Sequence, residues 1–483
     1  MHNIIKNPEV GGTGGQPFEL YDPDHRVNAI DVWSGNGESG ASRFTVLKGL
    51  NITWEGGRNE FRGNRAGTHT QFTFGDDNVS AMELYAGHSG PDGRCDSIRF
   101  ALDEPGHPRF ATGGDGGLRN DEQVGNHELI GFVGAAEGDI DRLGATGNDQ
   151  KITNWVNPND KSGEFKRGQS VFRNWISREP GAQFPPEKNR YHLYVSYACP
   201  WAHRTLITRK LKGLEDIISF TSVHWHLGEK GWRFATSDDN LPGENVTVDP
   251  LNNHSHLRDI YFSVDPEYKG RFTVPTLYDK KTKQIVSNES AEIIRMFYHE
   301  FDDLLPEKDK AVDLLPEHLK ADIDEANAWI YDTVNNGVYK CGFATTQEAY
   351  EKAIDPLFAS LDRIEAHFQA KLDSGAPLYY FGNSVTEADI RLFTTIVRFD
   401  PVYVQHFKTN IRDIRSGYPA IHRWLRNLYW DIPAFKDTTQ FEHIKKHYTK
   451  SHGQINPYAI TPVGPVPDIL GKEEEVRAVV SRK

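Results

Sequence analysis

The hydrophobic pattern of this chain changes period near residue 148, and that change constrains the fold more than any other feature. Upstream, apolar and polar residues alternate in short runs such as Asn28-Ala-Ile-Asp-Val-Trp33, Gln71-Phe-Thr-Phe74 and Ser97-Ile-Arg-Phe-Ala-Leu102, the period of half-buried strands. No sustained helical period interrupts residues 1–147, and their many glycines suit tight turns that need positive φ. Two glycine clusters, Gly11-Gly-Thr-Gly-Gly15 and Gly113-Gly-Asp-Gly-Gly117, hint at an internal repeat, although spacing alone favours two unrelated hairpin turns. Downstream, residues 307–373 and 386–436 carry long helical periods, and Thr386-Glu-Ala-Asp389 reads as a capping-box variant opening one helix. A chain of 483 residues has room for two to four domains at roughly 100–200 residues each.

Several function classes are disfavoured by composition. The formal net charge of -13 repels a phosphate backbone, so no nucleic-acid partner is expected. No apolar run approaches the roughly 18–20 residues of a membrane span. Met1 to Lys6 lacks a basic and apolar leader, and the ending Val480-Ser-Arg-Lys483 is no peroxisomal tripeptide, which makes cytoplasm the expected location. Three cysteines, Cys95, Cys199 and Cys341, fit a reducing compartment and neither a disulfide framework nor a Cys-rich metal site. No metal is expected.

The chemistry gathers around Cys199. Tyr191-His-Leu-Tyr-Val-Ser-Tyr197 reads as a strand, Ala198-Cys199-Pro200-Trp201 as a short loop, and the residues to Lys212 as a helix. Pro200 suits a first helical turn. A cysteine at a helix N-terminus gains from unpaired N–H groups and the helix dipole, which predicts a lowered thiol pKa. Ala202 stands where a C-x-x-C pair would have its second thiol, so Cys199 must exchange with a thiol brought by a partner. Cys341 is a more distant alternative, and Cys95 reads as a core residue. Arg271-Phe-Thr-Val-Pro-Thr-Leu277 is a strand broken at Pro275, where a cis peptide would leave the Val274 backbone free for an extended ligand. Asn288-Glu289-Ser290 opens an amphipathic helix, Ala291 to His299. Its N–H groups and the Ser290 hydroxyl suit a carboxylate, and Glu289 suits an ammonium. From residue 149 to about 190 the chain is polar and aromatic by turns, and Phe172, Trp175 and Ile176 mark an arm packed on a surface rather than a free linker.

Two resemblances follow from these residues. GGTGG-x-x-F at 11–18, VNAIDVWSG at 27–35 and Gly131-Phe-Val-Gly-Ala-Ala-Glu-Gly-Asp-Ile-Asp-Arg-Leu-Gly144 resemble the jacalin-related lectins. That resemblance implies an all-β prism of three Greek-key sheets, with a sugar or glycan held by the N-terminal glycine turn and a late GxxxD loop. Gly15 and Asp141 occupy the matching places. The loop glycine falls at Glu137 and moves to Gly138, and Gly138 and Asp139 stand where an aromatic often stacks on the sugar.

YHLYVSYACPWAHRTLI at 191–207, GWRF at 231–234, VPTLYDKKTKQIVSNESAEIIRMF at 274–297 and VNNGVYKCGFA at 334–344 are similar to the Xi-class glutathione transferases, whose members are S-glutathionyl-hydroquinone reductases. The resemblance runs from about Phe165 to Ile469. It implies an α/β thioredoxin-like domain followed by an all-helical one, glutathione as co-substrate, and a homodimer. The expected division is thus 1–147 prism, 148–190 linker and arm, 191–302 thioredoxin-like domain, and 303–483 helical domain with its tail. By the same resemblance Cys199 is the nucleophile, Trp232, Val274, Glu289 and Ser290 bind glutathione with Arg233 beside Trp232, and Tyr339 and Tyr429 contact the aromatic substrate. Tyr339 is also the expected proton donor. The other readings of the sequence are dehalogenation or deglutathionylation on the same fold, and a lectin or docking protein whose transferase half is vestigial.

Overall fold

The computed structural model describes residues 4–23, 25–74, 79–87, 93–102, 110–122, 124, 129–148, 162–228, 230–266, 268 and 270–474. Residues 149–161 of the expected linker, and the final residues with Val480-Ser-Arg-Lys483, lie outside the described residues. Two compact units divide the chain, Met1–Lys151 and Ile152–Lys483.

The first unit consists of three antiparallel sheets. In one, the strands run in the order Asn59–Gly63, Thr45–Trp54, Val27–Asn36, Thr68–Thr73; in the second, Phe110–Gly113, Cys95–Leu102, Val79–Ala86, Leu118–Glu122. In both, three consecutive strands pair as hairpins and the fourth returns beside the first, which is Greek-key order. The third sheet joins the two ends of the unit: Ile4–Lys6, Ile140–Asn148, Leu129–Ala136 and Gln16–Tyr21, with Val10–Gly11 also on Ile140–Asn148. Alternate residues of all three sheets meet in one core that includes Val32, Leu50, Leu84, Ile98, Phe132 and Leu143. Trp54 is sealed there, and its indole N–H donates to the Ile130 carbonyl at 2.8 Å.

The glycine clusters are not unrelated turns. Gly11 and Gly113 both have positive φ, +135° and +109°, and abut the backbone of Asp141 and Asp96 respectively; Gly15 and Gly117, at +73° and +77°, abut the side chains of the same two aspartates. A third five-residue turn, Gly63–Gly67, likewise begins and ends at positive φ and rests on the backbone of Lys48 and Ser34. Each turn therefore presses on an equivalent place in its sheet, occupied by Asp141, Asp96 or Lys48. Close backbone approach, which a Cβ would block, is why glycine recurs at these positions.

The second unit has two cores. A four-stranded sheet, in the order Ser219–Ser222, Tyr191–Val195, Thr276–Asp279, Gln284–Ser287, pairs parallel across its first two strands and antiparallel elsewhere. The helix Pro200–Leu211 makes the crossover, and Leu257–Val264 and Ser290–His299 pack on the same sheet. The remainder is helical, built on Lys320–Ile330, Gln347–Ser374, Glu387–Arg398, Pro419–Asp431 and Phe441–Ser451. Gln347–Ser374 is capped by Thr346 and ends on Gly375 at φ 70°. The capping box of Thr386 and Asp389 forms as its spacing predicts. Two wide π-helical turns, Tyr331–Asn335 and Phe399–Tyr403, break the periods that the sequence shows as continuous. The arm after residue 162 bridges both cores: Phe165 is buried among the helices, and Ile176 and Phe184 are buried against the sheet.

Candidate active site

Cys199 is the N-cap of Pro200–Leu211, with Pro200 at the first helical position. The strand Tyr191–Val195 delivers the chain to this point, and one buried cation holds the delivery loop. Arg398, at the end of Glu387–Arg398, donates to the carbonyls of Tyr197 (2.9 Å), Ala198 (3.0 Å) and Thr394 (2.8 Å) and bonds His203 Nδ1 at 2.9 Å. His203 Nε2 in turn meets Thr438 at 2.8 Å. A guanidinium fork with fixed donors is suited to such a clamp.

The half-buried thiol opens into a cavity of about 550 Å³. Four expected site residues border it: Trp232, Val274, Glu289 and Ser290. Cys199 Sγ donates to the Val274 carbonyl at 3.5 Å, next to the cis Val274–Pro275 peptide. Ser290 begins the helix Ser290–His299, so its N-terminal dipole faces the cavity. Glu289 caps that helix by accepting from Ala291 N at 3.1 Å, and its other oxygen accepts from Ser170 at 2.9 Å. Trp232 stacks on His447 with ring centroids 4.8 Å apart.

The helix N-terminus does not lower the Cys199 pKa as expected. Burial pushes the thiol up, and the opposing pull of the Ala202 and Trp201 N–H groups, then of Arg398 and Arg167, does not overcome it. The hydrogen bond to Val274 is that of a protonated thiol.

Arg233 and Tyr429 do not border the cavity. Trp232 faces inward, so its neighbour points to the opposite side of the strand, where the Arg233 fork grips Asp239 through two bonds of 2.8 Å. Tyr429 is buried on Pro419–Asp431 against Trp430 and Phe441, as a packing residue. Tyr339 is also buried, behind the cavity wall, and burial raises its hydroxyl pKa well above the usual tyrosine value. Its hydroxyl bonds that of Tyr448 at 2.6 Å, which bonds Tyr403 at 3.0 Å, and Cys199 is close enough to act electrostatically on Tyr339 and Tyr403. Cys341 is fully buried with its thiol pushed up to about 12, so it offers no exchange partner; Cys95 is a core residue.

Sequence reasoning missed the cations. Arg167 lies 4.5 Å from the Trp201 ring and 4.8 Å from that of Tyr339, beside the thiol. Arg204 borders the cavity with only 1% of its surface exposed; it donates to Ser290 Oγ at 3.4 Å, and its Nε and second terminal nitrogen have no hydrogen-bond partner among the described residues. Burial lowers its pKa to about 9. Arg204 falls within the quoted helix, five residues from Cys199, so its position was visible while its lack of partners was not.

In the first unit, the expected sugar-binding residues come together but are occupied by protein. Asp141 pairs with Arg94 at 3.0 Å; Asp139 takes Lys48, Arg94 at 3.1 Å and the Glu38 N–H at 2.8 Å. Gly138 abuts the Glu38 carboxylate, and the carbonyl of Gly14, next to Gly15, accepts from Arg142 at 3.0 Å. Both carboxylates that the resemblance offers to a sugar are thus engaged in ion pairs within the protein.

Two family profiles match the second unit: the glutathione S-transferase N-terminal domain over residues 198–300 and the C-terminal domain over residues 347–427. A glutathione S-transferase omega-like 2 of Schizosaccharomyces pombe is 56% identical over 66% of this chain and 97% of its own length. The glutathionyl-hydroquinone reductase YqjG of Escherichia coli is 51% identical over 65% of this chain and 93% of its own. Among solved structures, the glutathione S-transferase Xi of Phanerochaete chrysosporium is 60% identical with a TM-score of 0.61, covering 65% of this chain and 96% of that one. A Xi glutathione transferase of Saccharomyces cerevisiae, solved in complex with glutathione, is 46% identical with a TM-score of 0.61, over 64% of this chain and all of that one.

Proposed function

Since the chain belongs to the glutathione transferase family, we propose that its second unit reduces S-glutathionyl-hydroquinones to hydroquinones through a Cys199–glutathione mixed disulfide. The observation that carries this reading is the single thiol of Cys199 at a helix N-cap, with no second cysteine in its loop, at the wall of a cavity that also presents a second helix N-terminus and the buried guanidinium of Arg204. The γ-glutamyl carboxylate would rest on the Ser290 N–H and hydroxyl with Arg204 beside it, its ammonium on Glu289, and the peptide backbone along Val274. Trp232 would cover the peptide. Arg167 and Trp201 make a flat cationic and aromatic wall suited to the quinol ring.

In the first step the Cys199 thiolate attacks the glutathionyl sulfur, forming the Cys199–glutathione disulfide and releasing the aromatic carbon with the bonding pair. That carbon takes the proton that the Cys199 thiol gives up, passed on by the Tyr339 hydroxyl, which is hydrogen-bonded to Tyr448 and through it to Tyr403. A second glutathione thiolate then attacks the glutathione sulfur of the mixed disulfide, freeing the Cys199 thiolate and glutathione disulfide. The net change is one carbon–sulfur bond reduced, with the substrate's glutathionyl sulfur and the thiol of one glutathione joined as glutathione disulfide. The free cysteines suit a reducing cytoplasm, and the family resemblance supports a homodimer.

For the first unit we infer a jacalin-like prism that binds carbohydrate, supported by its three sheets, shared core and threefold repetition of the glycine turn.

Steady-state reduction of glutathionyl-menadione with glutathione varied tests the enzymatic reading. Wild type should release glutathione disulfide and accumulate a mixed disulfide visible by mass spectrometry, and Cys199→Ser should lose both. Full reductase turnover by Cys199→Ser would sink the mechanism.

A further inference from the structure

Breaking a carbon–sulfur bond with the pair left on an aromatic carbon creates a very strong base, so the pair must pass to an electronegative atom as the bond breaks. In an S-glutathionyl-hydroquinone that atom is close by, because the carbon bearing sulfur adjoins one bearing a hydroxyl. Protonating the sulfur-bearing carbon, as that hydroxyl gives its proton to water, leaves a tetrahedral carbon beside a ketone. A thiolate attacking the sulfur then forms the sulfur–sulfur bond and breaks the carbon–sulfur bond. The released pair moves onto the ketone oxygen, the ring becomes aromatic again, and the phenolate regains a proton from water. Negative charge therefore grows on one oxygen of the quinol during the step, and a cation placed there lowers the barrier.

The arginines bordering the cavity divide by position. Arg173 forks onto Glu292, Arg391 lies 3.5 Å from Glu387, and Arg204 stands at Ser290, the γ-glutamyl end. Arg167 stands at the aromatic end, over the rings of Trp201 and Tyr339, and its charge acts on the Cys199 thiol. Half-buried on the arm, it is held in place by its Nε, which donates to the Asn336 side chain at 2.9 Å, just past the wide turn Tyr331–Asn335. Arg271 borders the same cavity and feels the charge of Arg167. Two cations that repel one another at one cavity favour an anion arriving there.

We propose that Arg167 is a catalytic residue of the reductase, whose guanidinium receives the phenolate oxygen of the quinol as the carbon–sulfur bond breaks. This assignment rests on the reductase reading above and deepens it, because it limits the substrates to conjugates with a free hydroxyl on the carbon next to sulfur. A guanidinium suits the role: it stays charged, and its fork, fixed by Asn336 and the two rings, needs little reorganisation when the charge appears.

Single-turnover mixing of the reduced full chain with the S-glutathionyl conjugates of methylhydroquinone, hydroquinone and dichlorohydroquinone, without added glutathione, reads release of the quinol. Wild type, Arg167→Gln, Arg167→Lys and Arg271→Gln are compared, with the fold of each checked by thermal unfolding. Each rate is divided by the fraction of Cys199 present as thiolate, taken from alkylation against pH. Arg167→Gln should slow release of methylhydroquinone about 100-fold and release of the more acidic dichlorohydroquinone markedly less. Arg167→Lys, which keeps the charge without the fork, should show the same gradient with a smaller loss, and it carries the test if Arg167→Gln fails to fold. Attack of glutathione on the preformed Cys199–glutathione disulfide makes no phenolate and should change little. A loss equal for all three conjugates, or one that vanishes on division by the thiolate fraction, overturns the assignment, since Arg167 would then act through the fold or the thiol alone. The gradient appearing in Arg271→Gln and not in Arg167→Gln overturns it as well. Reduction of a conjugate with both hydroxyls methylated overturns the phenolate step. A folded wild type that releases no quinol from any conjugate overturns the reductase reading itself.

Discussion

Replacing Arg204 by methionine should stabilise the protein while weakening its hold on glutathione. The guanidinium is buried, two of its three nitrogens have no hydrogen-bond partner among the described residues, and its contact with Ser290 Oγ, at 3.4 Å, is long. The fall of its pKa from 12.5 to about 9, caused first by burial, corresponds to roughly 5 kcal/mol against the charged form. That cost is complete at any pH below about 9 and fades as pH rises further, because only then does the folded state release the proton. The cation–π contact with Trp201, 4.6 Å from the ring centroid, offsets about 1–2 kcal/mol, and methionine retains the apolar stem. Allowing for relaxation around the charge, a net gain of about 1–3 kcal/mol remains, or about 2–6 °C in the melting midpoint for a unit of this size. The same substitution removes a charge-assisted partner of the γ-glutamyl carboxylate, worth about 1.5–3 kcal/mol, so the KM for glutathione should rise about 10- to 100-fold. Differential scanning calorimetry at pH 7.5, with and without glutathione, reads both effects: the free variant melts higher, and glutathione raises its midpoint less than that of wild type. A variant that melts several degrees lower with an unchanged KM would refute the reasoning, since Arg204 would then be structurally paired.

Three further outcomes are expected. Because burial raises the Cys199 thiol, its alkylation by iodoacetamide should accelerate with pH to a midpoint above the value of about 8.5 for a free cysteine, and Arg167→Gln should move the midpoint higher; a midpoint below 7 would contradict the assignment. Tyr339→Phe should lower kcat about 100-fold with little change in the KM for glutathione, and an unchanged kcat would remove Tyr339 from proton transfer. Arg94→Met leaves Asp141 buried without its cation and takes one of two from Asp139, so urea unfolding should show the first unit weakened by about 2–4 kcal/mol, while reductase activity stays at the wild-type level.

The sequence by itself determined what depends on a few neighbouring residues. Cys199-Pro200 specifies a capped helix start, Thr386 and Asp389 close their box, Glu289 caps the helix that begins at Ser290, and alternation marks the strands around Trp33 and Ile98. In each case the decisive hydrogen bonds or side-chain period lie within about four residues, so the pattern carries the answer. Tertiary structure alone decided what those groups can do. Arg398 reaches the Cys199 loop from about 200 positions away in sequence, and no local signal announces it. Burial reverses the expected direction of the Cys199 pKa because desolvation sums over every atom packed around the thiol. Trp232 enters the cavity and Arg233 leaves it, although both sit in one quoted motif. The glycine turns look alike as letters, and only the fold shows that Asp141 beneath one of them is paired with Arg94. Local geometry is written in nearest neighbours, but charge, burial and partnership depend on which distant segments the folded chain brings together.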